Sequence, residues 1–258
     1  MSLTKISLFS GIGGDDLASE WAGIDTICFV EIDSFCQKVL KKHWPNIPII
    51  GDIHEVTPAK VKEVSGYGWV DIIAGGDPCQ PRSVAGKRRG HEDDRDLWKD
   101  MLRVISEFKP TWVINENPTG RLTMDFHEVL SNLESIGYET RSFVIPACAV
   151  NALHRRDRLF IVAYSNSFRL QGRIKGLQTV NKQRHVETDN STQTLQRNKI
   201  GNNLSSPEFS RANDGVFYRV DRLKTLGNAI VPQQIYPIYK AIIQIEGKPK
   251  QENENVSR

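Results

Sequence analysis

Short runs of β-branched and aliphatic residues alternate along this chain with longer stretches whose apolar positions recur at helical spacing. Ile6–Phe9, Thr26–Val30, Val70–Ala74, Trp112–Asn115, Glu139–Ile145 and Arg158–Ala163 have the length and residue types of strands. Asp16–Trp21, Ser34–Lys42, Leu97–Phe108 and Phe126–Ser135 have helical spacing, and Ile235–Ile245 reads as a closing helix. Strands and helices follow one another in turn. That order predicts βαβ units and an α/β fold whose mostly parallel sheet is covered on both faces.

The 258 residues suffice for one large α/β domain, or for a medium domain with a small appendage. With 39% hydrophobic and 25% charged residues, wholesale disorder and a fibrous chain are excluded. No apolar run is long enough to cross a bilayer, so no membrane partner is expected. The opening residues do not read as a signal peptide. The four cysteines form no CxxC pair, which predicts free thiols, no metal and a cytoplasmic location. Cys28 and Cys148 read as packing thiols inside apolar surroundings.

A net charge of +3 is uninformative until it is divided. Residues 166–215 carry eight Lys/Arg against four Asp/Glu, so they hold +4 while the rest of the chain is −1. The same stretch has seven Asn and five Gln and no clear apolar period. Two readings stay open on composition: a polar surface excursion, or a basic, amide-rich patch that touches phosphates and base edges.

Candidate chemistry begins at Phe9-Ser10-Gly11-Ile12-Gly13-Gly14, a glycine turn between the first strand and the first helix. Glycines there let the backbone approach a ligand and leave helix N–H groups available, although a tight turn without a ligand would need them too. Glu31, about twenty residues on at the end of the second strand, is placed to accept hydrogen bonds from ribose hydroxyls. Asp52 is a further acid after the third strand candidate. In open α/β sheets ligands sit at the carboxyl ends of strands, so an adenosine-containing cofactor fits all three features. A diphosphate fits less well, because no Lys-Ser/Thr phosphate loop is present.

The run Gly75-Gly76-Asp77-Pro78-Cys79-Gln80-Pro81 places a cysteine between two prolines at the end of a buried strand. Prolines stiffen the loop. Lys87, Arg88, Arg89 and Arg95 follow, and cationic surroundings favour the thiolate. None of the six histidines stands in a setting suited to a cysteine-protease base. The basic loop points instead to an anionic polymer.

Taken in order, the Phe9–Gly14 turn, Pro78-Cys79-Gln80, Glu116-Asn117, His154-Arg155-Arg156-Asp157-Arg158 and Leu226-Gly227-Asn228-Ala229-Ile230-Val231-Pro232-Gln233 closely resemble the motifs of the DNA (cytosine-5) methyltransferase family, in its short phage- or prophage-like bacterial form. The resemblance covers roughly residues 4–165 and 216–245. It implies a Rossmann-like S-adenosylmethionine-dependent methyltransferase fold with a small target-recognition insert. The implied division is a catalytic and cofactor-binding domain over 1–165, a short basic recognition region over 166–215, a return to the catalytic domain over 216–246, and a flexible tail over 247–258.

The implied reaction transfers a methyl group from S-adenosyl-L-methionine to carbon-5 of a cytosine flipped out of duplex DNA. Cys79 matches the nucleophile that adds to carbon-6. Glu116, placed at the end of the strand Thr111–Asn115, would stabilise charge at ring nitrogen N3, which calls for a raised carboxyl pKa. Arg156 and Arg158 read as alternating residues of one strand facing one way. One would bind O2, and the other would support the cysteine loop or a phosphate. Phe9, Gly11 and Gly13 would surround the cofactor, Glu31 would hold its ribose, Ile32 would pack on adenine and Asp52 would accept its amino group. Leu97 and Asn228 would complete that pocket. Gln80, Ser83, Lys87, Arg88 and Arg89 lie on the loop that closes over DNA in the family. The expected partners are double-stranded DNA and a cognate restriction endonuclease, with the enzyme acting as a monomer.

Some positions depart from the family pattern. Pro118 stands where a valine is usual, Arg82 where phenylalanine is frequent, and His154 where glutamine is common. Proline confines Asn117 to extended backbone, which should still let Glu116 project correctly. The recognition region is also short. Two alternatives therefore accompany the leading one: methylation of tRNA cytosine, and a DNA-binding relative impaired in catalysis.

Overall fold

A computed structural model of the chain describes residues 2–78, 97–165, 167 and 229–247. In chain order the elements are β1 (Thr4–Leu8), α1 (Gly14–Trp21), β2 (Asp25–Val30), α2 (Ser34–His43), β3 (Ile49–Ile50), α3 (Pro58–Ser65), β4 (Ile72–Gly75), α4 (Trp98–Phe108), β5 (Trp112–Pro118), α5 (Phe126–Ser135), β6 (Glu139–Ile145), β7 (Arg158–Tyr164) and α6 (Pro232–Glu246). The seven strands form one sheet ordered β3-β2-β1-β4-β5-β7-β6. The first five pair in parallel, and β7 runs antiparallel to both β5 and β6. The expected α/β architecture is the one observed.

Side chains of the central strands alternate between two cores, as the two-residue period of a strand requires. Ile73, Val113, Ile161 and Ala163 pack on one face with Val61 of α3, Met101 and Ile105 of α4, and Val129 and Leu133 of α5. Ile72, Ala74, Trp112, Ile114, Phe160 and Val162 pack on the other with Ala18 of α1 and with Ile235, Ile238, Tyr239 and Ile242 of α6. Residues of α6, far along the chain, thus close the face that α1 begins.

α3 has no counterpart among the expected helices. It buries only Val61, so its apolar period is faint. Its boundaries are nonetheless written in the sequence: Thr57 caps the backbone N–H of Lys60, Pro58 opens the helix and Gly66 ends it in the left-handed region.

One charged cluster lies inside the sheet–helix packing. Lys5 on β1 is fully buried, with Nζ 2.5 Å from Asp15 and 2.9 Å from Asp16, both in the first turn of α1. The Tyr239 hydroxyl on α6 donates to Asp15 Oδ1 at 2.6 Å, and Ser7 and Thr26 donate to Asp16. The group ties β1, β2, α1 and α6 together below the glycine turn.

Candidate active site

The carboxyl ends of β1, β2, β3, β4 and β5 open into a cleft of about 1110 Å³. This is the edge at which open α/β sheets bind ligands. Because β7 is antiparallel to β5, its first residue, Arg158, lies at that edge, in register with Pro118. A purely parallel sheet would have sent Arg158 to the opposite end.

One side of the cleft is the glycine turn. Phe9, Gly11 and Gly13 all have positive φ, at 53°, 55° and 84°. Phe9 and Gly11 line the cleft. Gly13 does not: it is the N-cap of α1, and a Cβ there would meet the Trp44 ring at 2.4 Å. Left-handed backbone packed under an indole is enough to require glycine there. Glu31 receives the Gly11 N–H at 2.7 Å and the Asp33 N–H at 2.7 Å, so it shapes the turn as well as facing the cleft. Ile32 leaves an apolar side chain 77% exposed there.

Asp52 accepts the backbone N–H of His54 at 2.9 Å and lies 2.6 Å from its ring Nδ1. These hydrogen bonds lower the Asp52 carboxyl below its ordinary value and raise the His54 imidazole. Leu97, at the N-cap of α4, is half-buried and closes the wall.

The other side is built around Glu116. Its carboxylate is largely buried, with Oε1 2.8 Å from Arg158 Nε. The strand that carries it does not end at Asn115 but continues through Pro118, extended as the proline demands, with Glu116 opposite Phe160. Burial pushes the Glu116 carboxyl up to about 7. Arg158 and Arg156 pull it down, while Asp15 and Asp77 push it further up. Gly76 supplies the space beside it: a Cβ at Gly76 would lie 2.6 Å from the Glu116 carbonyl and 3.0 Å from Oε2.

Arg156 is not on the strand with Arg158. It precedes β7 with φ 30°, and Nη2 donates to the Ala229 carbonyl at 2.6 Å. The two arginines still converge electrostatically on Glu116, by a kinked approach rather than by alternation. Gln234, fully buried on α6, holds that approach by donating to the carbonyls of Ile145 and Arg156. Cys28 is buried in β2 as expected, whereas Cys148 is exposed, because it lies in the turn after the edge strand β6.

Cys79, Gln80, Ser83, Lys87, Arg88, Arg89 and Asn228 lie outside the described residues, as do all of residues 166–215 but Ser167. Among the described residues no cluster of His, Cys, Asp and Glu suited to a metal is present, and no helix is long and apolar enough to cross a membrane. Sequence reasoning missed the buried set Asp77, Asn115, Asn117 and Arg121, and also Gln234. Asn115 and Asn117, asparagines in a strand whose other inner positions are apolar, were the available signal.

The family described as C-5 cytosine-specific DNA methylase matches residues 3–226. Type II methyltransferase M.HgiBI of Herpetosiphon aurantiacus is 29% identical over 215 residues, covering 77% of this chain and 48% of that protein. Type II methyltransferase M.Eco47II of Escherichia coli is 36% identical over 174 residues, covering 63% of this chain and 40% of that protein. A mutant of Spodoptera frugiperda DNMT2 shares the fold with a TM-score of 0.55 at 23% identity, covering 64% of this chain and 50% of that one. The chain spans about half the length of the relatives it matches.

Proposed function

The chain belongs to the C-5 cytosine-specific DNA methylase family, and from that premise we propose that it methylates carbon-5 of cytosine in double-stranded DNA, with S-adenosyl-L-methionine as the donor. The observation that carries this reading is Glu116: a carboxyl held near neutrality by burial, beside Arg158, at the mouth of a cleft that also presents Glu31 and Ile32.

The cleft residues suit the donor. Glu31, lining the cleft beside the Gly11 turn, would accept from ribose hydroxyls, and Ile32 offers an exposed apolar surface for an aromatic ring. Asp52 keeps its charge and can accept an exocyclic amine. When bound, the donor supplies an electrophilic methyl on sulfonium sulfur.

The protein does the rest. Cys79, as the thiolate, adds to carbon-6 of the flipped base, and the ring electrons move towards carbon-5 and N3. Glu116, protonated, donates a hydrogen bond to N3 where charge builds, and Arg158 or Arg156 holds O2. Addition makes carbon-5 nucleophilic enough to take the methyl group. A base then removes the carbon-5 proton, the electron pair re-forms the carbon-5–carbon-6 double bond, and the Cys79 thiolate leaves.

Gln80, Ser83 and Lys87–Arg89, with Asn228 on the cofactor side, complete the assignment, and the basic stretch 166–215 reads the target. The proposed setting is the cytoplasm, with the enzyme as a monomer. The Type II name of its relatives supports pairing with a restriction endonuclease.

Duplex DNA carrying 5-fluorocytosine tests the reading, because fluorine at carbon-5 blocks the final elimination. Wild-type protein with S-adenosylmethionine should form a covalent DNA adduct that Cys79→Ser abolishes. Absence of an adduct at saturating donor, or methyl transfer to tRNA in place of DNA, overturns it.

A further inference from the structure

Arg121 is among the largest fully buried side chains of the described residues, at 1% exposure, in the short turn Thr119–Thr123 that follows β5. Its Nη1 lies 2.5 Å from Asp77 Oδ1, its Nη2 lies 2.9 Å from Asp125 Oδ2, and its guanidinium covers the Trp98 ring at 5.6 Å. The same Asp77 oxygen also accepts from Asn115 Nδ2 at 2.7 Å and from Asn117 Nδ2 at 3.0 Å. One carboxylate oxygen therefore gathers three donors, all from β5 or the turn after it.

The connectivity gives this arrangement meaning. Asn115 and Asn117 flank Glu116, while Asp77 stands two residues before Cys79. Along β5 the side chains alternate: Glu116 turns towards Arg158, while Asn115 and Asn117 both turn to Asp77, which with Asn117 also borders the cleft. A buried ion pair is a weak source of stability, since desolvation of both charges offsets their attraction.

We propose that Asp77 and Arg121 are positioning residues: their buried pairing locks the backbone leading to Cys79 against the strand that carries Glu116, and so sets the spacing between thiol and carboxyl. The inference rests on the proposed methyl transfer. Neither residue touches the substrate in this role. A misplacement of about 1 Å between reacting groups costs roughly 100-fold in rate.

The test is the rate of adduct formation on 5-fluorocytosine duplex, read beside S-adenosylmethionine affinity and the thermal midpoint. Two variants carry it. Arg121→Lys keeps a charge but loses the fork that spans Asp77 and Asp125, and the double change Asp77→Asn with Arg121→Met removes both buried charges together. The expected result is an adduct rate lowered by roughly 10- to 100-fold in both, with donor affinity within about 3-fold of wild type. A merely structural role predicts that the charge-free pair recovers the wild-type rate along with the fold, and that outcome overturns the proposal. Should the double variant not fold, an unchanged rate in Arg121→Lys overturns it equally. A wild-type protein that forms no adduct refutes the methyl-transfer reading and takes this inference with it. A wild-type rate shared by the variants refutes the positioning role alone.

Discussion

Replacing Glu116 by glutamine should remove the reaction and at the same time change how stability depends on pH. Burial raises the Glu116 carboxyl from an ordinary 4.5 to about 7. Between these values the folded protein binds a proton that the unfolded chain has released, so Glu116 costs stability as pH rises through that window. The cost is absent well below 4.5, grows through the window and is complete above about 7. By linkage its full size is about 3 kcal/mol. The Glu116→Gln side chain cannot ionise and escapes this cost. The attraction of Arg158 for the ionised carboxylate is already contained in the value of about 7, so its loss adds no separate offset.

The difference between the two proteins should therefore drift by roughly 2–3 kcal/mol in favour of the Glu116→Gln variant between about pH 5 and pH 8. Urea denaturation of wild type and variant across that range measures it directly. A difference that stays flat with pH would mean that Glu116 titrates normally, and the account of its near-neutral carboxyl would be wrong. The same burial that raises the Glu116 carboxyl thus costs stability once that carboxyl ionises.

Other consequences are as concrete. Gly76→Ala would set a Cβ 2.6 Å from the Glu116 carbonyl, so β4 and β5 must part. Adduct formation should fall by at least roughly 10-fold while donor affinity, measured by calorimetry, is kept. An unchanged rate would show that the spacing is not critical. Lys5→Met leaves Asp15 and Asp16 without their shared cation in a buried setting. It should cost roughly 3–5 kcal/mol at about pH 7. A loss below about 1 kcal/mol at neutral pH in urea titrations would refute the clamp.

Much of the fold was legible because local pattern and tertiary role agree. Glu139–Ile145 and Phe126–Ser135 coincide in pattern and structure, and the other predicted strands and helices differ only at their ends. Glu31 and Asp52 could be placed at strand ends because strand ends are marked by glycine and polar residues. Arg156 misleads, since two arginines with one residue between them look alike whether the chain is extended or kinked. Gly13 shows a related ambiguity. A glycine wanted for φ 84° under Trp44 cannot be told from one wanted for a ligand.

What the sequence determined by itself was the alternation that makes an α/β sheet and the order of motifs that gives the family. Both are encoded along the chain, in spacing and residue type. The tertiary structure alone decided that β7 runs against its neighbours and so delivers Arg158 to Glu116. It also decided that α6 returns Gln234 and Tyr239 to elements far away in sequence, and that Asp77, Asn115, Asn117 and Arg121 share one buried oxygen. These are contacts between residues 40 or more positions apart in most cases. A carboxyl's proton affinity depends on how much water such contacts exclude, and no local pattern records that.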